Sequence, residues 1–204
     1  MGIILLSFAL AAYFYPQMPE KVASHWNAGG DVDGYMSKFW GLFLMPMISV
    51  LLYGLFLLIP VMDPKKENIA KFRGYFDGFV VIMMLFLFYV YVLTLLWNLG
   101  YVFFSMTALL APAFGVLFYY CGVLMENAKM NWFIGIRTPW TLSSENVWDK
   151  THKLGGRLFK AAGIISVAGF LLPDYAIFIM LAPVLLSSLY LVVYSYMEYR
   201  KERK

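Results

Sequence analysis

Of 204 residues, 62% are apolar and 14% are charged, where an ordinary soluble domain carries about 25% charged residues. That balance excludes a soluble globular fold. A single cysteine, Cys121, excludes an intramolecular disulfide, and the net charge of +4 is informative only through where the basic residues fall.

The uncharged runs are long. Gly78 to Met125 spans 48 residues without Asp, Glu, Lys or Arg, Phe39 to Met62 spans 24, and Tyr175 to Met197 spans 23. A hydrocarbon core of about 30 Å takes roughly 20 apolar residues per helix, so the longest run holds two spans. Barrel strands alternate apolar and polar residues, whereas VVIMMLFLFYVYVLTLLW (80–97) is apolar on every side. A helix satisfies its own backbone groups in lipid. The expected fold class is therefore all-α, a polytopic transmembrane helical bundle of the plasma membrane.

Six segments follow in chain order. The first is Gly2 to Tyr15, short and ended by Pro16. The second is Phe39 to Met62, with Pro46 as a candidate kink. The third and fourth, 78–97 and 101–125, form a hairpin turning at Asn98-Leu99-Gly100. The fifth runs from Arg157 to Leu172, ended by Pro173, and the sixth is Tyr175 to Met197 with a charged tail.

This divides the chain into an N-terminal two-span hairpin (1–62) with an external loop (16–38), a central hairpin (75–125), and a C-terminal part (126–204). The last holds a cytoplasmic loop (126–156) and two spans. Ala9-Leu10-Ala11 also resembles a signal-peptidase site, but no basic residue precedes it, and the first segment is read as retained.

Orientation follows from the basic residues. With the N-terminus cytoplasmic, 14 of the 16 lysines and arginines fall inside, including Lys65, Lys129, Arg137, Arg157, Lys201 and Lys204; only Lys21 and Lys38 fall outside. Excess cytoplasmic Lys and Arg sets topology, so both termini are expected inside. Ala108, Ala111, Gly115 and Gly122 on the fourth span, and Ala162, Ser166 and Gly169 on the fifth, form small-residue stripes suited to close helix packing. Cys121 reads as a further small packing residue.

The external loop contains SHWNAGGDVDGYMSK (24–38). Its Pro, Asn-Ala-Gly-Gly and Asp-Gly elements are turn chemistry. Between them KVASHW reads as a short strand, with Val22, Ser24 and Trp26 on one face and Ala23 and His25 on the other. Three readings apply: a plain solvated connection, a metal site, and a recognition patch. Asp31-Val32-Asp33-Gly34 opens like a calcium loop, yet the twelfth position is Leu42 where Glu is required. His25 with Asp31 and Asp33 lacks a further zinc ligand. Recognition of an external ligand by His25, Trp26, Asn27 and Asp33 is the reading favoured.

The second polar block is NWFIGIRTPWTLSSENVWDKTHKLGGR (131–157). It is irregular to Pro139; Ser143 or Ser144 then caps a helix with Glu145 in its first turn. Trp148, Thr151, His152 and Gly155 share a face of that helix, and Gly155-Gly156 is a candidate bend. Arg137 offers a fork for carboxylate or phosphate, amid Trp132, Trp140 and Trp148. A lipid-anchoring segment meeting anionic headgroups is the plain alternative.

Catalytic signatures are missing. The two histidines, His25 and His152, fall on opposite sides; no HExxH, GxSxG or Walker loop occurs. Asp149 and His152 form an i, i+3 pair without an adjacent nucleophile. No acid lies inside a span, as proton-coupled transport would use. No cofactor and no direct contact with nucleic acid are expected. A membrane metal-dependent hydrolase using His25, Asp31 and Asp33, or a small-solute transporter, are the alternatives.

These blocks carry a resemblance. YPQMPEKVASHWNAGGDVDGYMSK resembles an N-terminal domain of unknown function found in many bacterial and archaeal membrane proteins. GIRTPWTLSSENVWDKTHKLGGRLF resembles the signature of the SdpI-type immunity proteins. The resemblance covers residues 5–60 and 115–200. It implies immunity to a secreted membrane-active peptide toxin, bound from outside, with a transcriptional repressor held at the cytoplasmic face. By matching motif it implies His25, Trp26, Asn27, Gly30 and Asp33 as the outer ligand-binding set. Gly135, Arg137, Thr138, Pro139, Trp140, Thr141, Trp148 and His152 are implied as the inner partner-binding set. Pro46, Pro112 and Gly155-Gly156 are candidate hinges between the two.

Overall fold

The computed structural model describes residues 1–203; Lys204, counted above among the inner cations, lies outside them. The chain is mostly helical: α1 (Gly2–Phe14), a hairpin of β1 (Lys21–Trp26) and β2 (Val32–Ser37), then α2 (Lys38–Met62), α3 (Lys66–Lys71), α4 (Arg73–Asn98), α5 (Met106–Asn127), α6 (Pro139–Ser143), α7 (Glu145–Val167) and α8 (Ala176–Glu202). Among the described residues, four segments are long and apolar enough to cross a membrane: α2, α4, α5 and Pro173–Glu202. Leucines along their outer faces, such as Leu51, Leu85 and Leu186, are exposed, as lipid-facing residues are.

The remaining two expected segments differ. With 13 residues, α1 rises only about 20 Å. The first half of α7 carries charge from Glu145 to Arg157, leaving Leu158 to Val167, with Lys160 as its one charge, as its more apolar part. Both pack on the spanning helices: α1 against α2 and α4, α7 chiefly against α5.

The α5–α7 contact is built on four glycines spaced by two turns. A Cβ on Gly163 would lie 2.6 Å from the Gly115 carbonyl oxygen and 2.6 Å from the Tyr119 nitrogen. A Cβ on Gly122 would lie 2.5 Å from the Gly156 carbonyl oxygen. The two backbones therefore touch, which only glycine permits. Ala111, Gly115, Gly122, Ala162 and Ser166 of the expected stripes are buried here. The proposed bend at Gly155-Gly156 is corrected: α7 runs unbroken from Glu145 to Val167, and the glycines are there for packing.

Two further boundaries move. Tyr101 to Ser105 is not helical; Gly100 (φ +94°) ends α4, and α5 begins after Ser105, whose hydroxyl accepts from the Ala108 N–H. Asp33-Gly34, read as a turn, lies inside β2. The helices α3 and α6 were not expected.

Candidate functional site

The hairpin pairs antiparallel, with Val22 opposite Met36 and His25 opposite Gly34. Irregularities between Ala23 and Trp26 break the simple alternation, so Val22 and Ala23 are both buried while the His25 side chain is 71% exposed. The two-faced strand expected from KVASHW is thereby corrected. Gly34 sits where it does because a Cβ there would stand 2.8 Å from that of His25.

Across the irregular part of the hairpin, His25 Nδ1 and Asp33 Oδ1 lie 2.5 Å apart. At the tip, Asn27 Oδ1 accepts from the Asp31 N–H at 3.0 Å, and the Asn27 N–H donates to the Asp31 carbonyl at 2.9 Å. Gly30 closes the turn with φ +88°, a conformation that disfavours a side chain. Trp26 packs edge-on against Trp97, ring centroids 5.7 Å apart. His25, Trp26, Asn27, Gly30 and Asp33 are thus brought onto one small hairpin.

What anchors that hairpin was missed by sequence reading. Asn98 Oδ1 accepts the Ala23 N–H at 2.7 Å, and its Nδ2 donates to the Ala23 carbonyl at 3.0 Å. Gly41 of α2 leaves the space that Val22 fills. Beneath the hairpin lies a cavity of about 410 Å3, lined by Ser24, His25 and Trp26 and by α2, α4, α5 and α8, including Met45, Thr94, Thr107 and Met180.

The second block folds into a knot around His152. The His152 ring is fully buried; its Nδ1 hydrogen-bonds the Trp148 carbonyl at 2.9 Å and its Nε2 accepts the Ile136 N–H at 2.9 Å. That pattern requires a neutral ring. Burial depresses its pKa to about 4, against the opposing pull of the Trp148 carbonyl. Gly135 (φ +107°) passes directly over the ring, where a Cβ would collide with Nε2.

Trp148 Nε1 donates to the Ala128 carbonyl at 2.9 Å. Thr138 and Thr141 cap α6 reciprocally, and Thr138 Oγ1 lies 3.1 Å from Ser195 Oγ of α8. Pro139 occupies the first turn of α6, and Trp140 packs on Tyr196.

Of the eight residues expected here, Gly135 and His152 form the knot with Trp148, Thr138 and Thr141. Arg137 and Pro139 are exposed and Trp140 half-buried; Arg137 Nη1 donates to the Trp132 carbonyl at 2.7 Å. The Asp149–His152 pair does not form, because Asp149 is exposed and both imidazole nitrogens are engaged by backbone.

Two buried polar residues outside the expected set hold the loop. Asp63 accepts from the Lys65 and Trp132 N–H groups at 2.6 and 2.8 Å. Asn131 Oδ1 accepts from those of Phe133 and Ile134 at 2.9 and 2.6 Å. The hairpin rests on the start of α2 and the end of α4. The knot rests on the end of α2 and the end of α5 and packs with Phe76, near the start of α4. The two polar blocks therefore occupy opposite ends of one apolar bundle.

Residues 2–50 match a domain of unknown function, DUF1648, and residues 127–195 match the SdpI/YfhL protein family. The chain is also 28% identical over 200 residues to "Immunity protein SdpI" of Bacillus subtilis (strain 168), covering 98% of this chain and 93% of that one. No solved structure matches it. The resemblance read from the two motifs holds, and the chain is a multi-pass plasma-membrane protein similar to an immunity protein.

Proposed function

We propose that this SdpI-type membrane protein confers resistance to a secreted membrane-active peptide toxin. It binds the toxin from outside at the hairpin and holds a transcriptional repressor at its cytoplasmic end. The observation that carries this reading is the pair of built polar blocks at opposite ends of the bundle. A ligand at one end acts on the other only by binding two bundle arrangements unequally.

In this reading the chain has six membrane segments with both termini inside. At the hairpin end two lysines, Lys21 and Lys38, face four acids, Glu20, Asp31, Asp33 and Asp174, while the other 13 cations among the described residues belong to the knot end. That sorting supports the orientation. The short α1 and the apolar part of α7 complete the bundle against α2, α4 and α5.

The ligand set is His25, Trp26, Asn27, Gly30 and Asp33. At the inner end the exposed Arg137, Pro139 and Trp140 meet the partner. Gly135, Thr138, Thr141, Trp148 and His152 give that surface its shape. The protein acts without catalysis. For a metal hydrolase the hairpin offers the His25–Asp33 pair, and no group of three His, Cys, Asp or Glu side chains converges among the described residues.

The test is survival. Bacillus subtilis cells lacking their own SdpI, supplied with this chain, are challenged with the killing peptide that SdpI resists. Protection by the wild type that Asp33→Ala removes supports the reading. Protection unchanged in both His25→Ala and Asp33→Ala contradicts a role for the hairpin.

A further inference from the structure

We propose that a cleft at the basic end of the bundle, between the end of α5 and the first half of α7, binds the phosphate of an anionic phospholipid. The cleft measures about 680 Å3 and is lined by Glu126, Lys129, Asp149, Lys150, Lys153 and Arg157. The glycine contact creates it. Gly122 and Gly156 bring the two backbones together, so Lys129, just beyond the end of α5, converges with Lys153 and Arg157 on α7.

The charges are not self-neutralised. Lys150 Nζ donates to Glu198 at 3.0 Å, and Lys160 Nζ to Glu126 at 2.7 Å. Both pairs are internal. Among the described residues, Lys129, Lys153 and Arg157 have no acidic partner within 4.0 Å. Asp149 is the one carboxylate of the cleft left without a cation. His152 in the cleft wall is neutral, with both nitrogens occupied. Three free cations therefore face one free carboxylate, and an anion completes the set.

Depth selects the source of that anion. Glu126 in the last turn of α5 and Lys129 just beyond it flank the end of a helix long and apolar enough to span, so the cleft opens at headgroup level. At the same end Trp132 and Phe133 are 49% and 38% exposed, as aromatic residues are at a membrane interface. Arg157 supplies a planar fork for phosphate oxygens, and the lysines supply point charges. An acidic protein segment would share the charge but not the position.

The test uses full-length protein in nanodiscs of phosphatidylcholine mixed with phosphatidylglycerol, with retained lipids counted by native mass spectrometry after transfer to detergent. The wild type is expected to retain phosphatidylglycerol several-fold above its share of the mixture. The triple variant Lys129→Gln, Lys153→Gln, Arg157→Gln is expected to lose that enrichment. A control with three cations removed elsewhere, Lys66→Gln, Arg200→Gln, Arg203→Gln, keeps it. No enrichment in the wild type, or equal loss in the control, overturns the assignment. So does displacement of the bound lipid by poly-glutamate at matched charge, which would point to an acidic protein instead.

Discussion

The imidazole of His152 lies flat on the indole of Trp148, ring centroids 3.8 Å apart and planes within 17° of parallel. One helical turn separates them, and the ring is held neutral by the Ile136 N–H on one nitrogen and the Trp148 carbonyl on the other.

Protonation must break the bond from Ile136, since a charged ring has no acceptor nitrogen. The folded pKa is about 4, below the ordinary value near 6.5. The stabilisation is therefore complete above about pH 6.5 and is lost as pH falls toward 4, up to roughly 3 kcal/mol. Thermal unfolding in detergent is expected to show the melting temperature dropping across that window. His152→Gln is expected to lower stability at neutral pH and flatten the dependence.

Glycine substitutions separate packing from propensity. Gly163→Ala places a methyl against the backbone of Gly115 and Tyr119, and overpacking of this kind costs about 1–3 kcal/mol. Gly54→Ala meets nothing within 4 Å, so its effect is expected to be neutral or stabilising by up to about 1 kcal/mol. Melting temperatures of the two variants check the contrast; equal effects would remove the seam from the account of stability.

Asn98 is the clamp on the hairpin. Asn98→Leu removes both hydrogen bonds to Ala23 and leaves a strand N–H and C=O unpaired, at about 1–3 kcal/mol for a buried group. Faster amide exchange at Ala23 is the expected readout, together with weaker protection in the survival assay. Exchange at Ile136, at the other end, should not change.

Asp63 does the corresponding work for the knot. Asp63→Asn replaces an acceptor for two backbone N–H groups by an amide that can offer only one oxygen. Greater protease sensitivity near Trp132 is expected, with the hairpin unaffected.

Much of this was legible before the structure. Uncharged runs place α2, α4, α5 and α8 because lipid tolerates no unpaired charge, and Ser144 marks the start of α7 by capping chemistry. The second strand was not legible. Asp33-Gly34 is turn chemistry by composition, and it enters a strand only because the His25 side chain needs the space beside Gly34. Asn98 and Asp63 were unreadable for another reason: their partners lie 75 and 69 residues away, and no local pattern records such contacts. The inner motif was found as a set, but not that half of it, Thr138, Thr141, Trp148 and His152, is interior. Gly135 and His152 are 17 residues apart in sequence, and only the fold superposes them.

Compartment labelling tests the arrangement most directly. In a Cys121→Ser background, Asp31→Cys and Arg137→Cys are each exposed to a membrane-impermeant maleimide on intact cells. The expected result is labelling of Asp31→Cys in intact cells and of Arg137→Cys only after lysis. Labelling of both, or of neither, before lysis would put hairpin and knot in one compartment and contradict the proposed transfer of a signal from outside to inside.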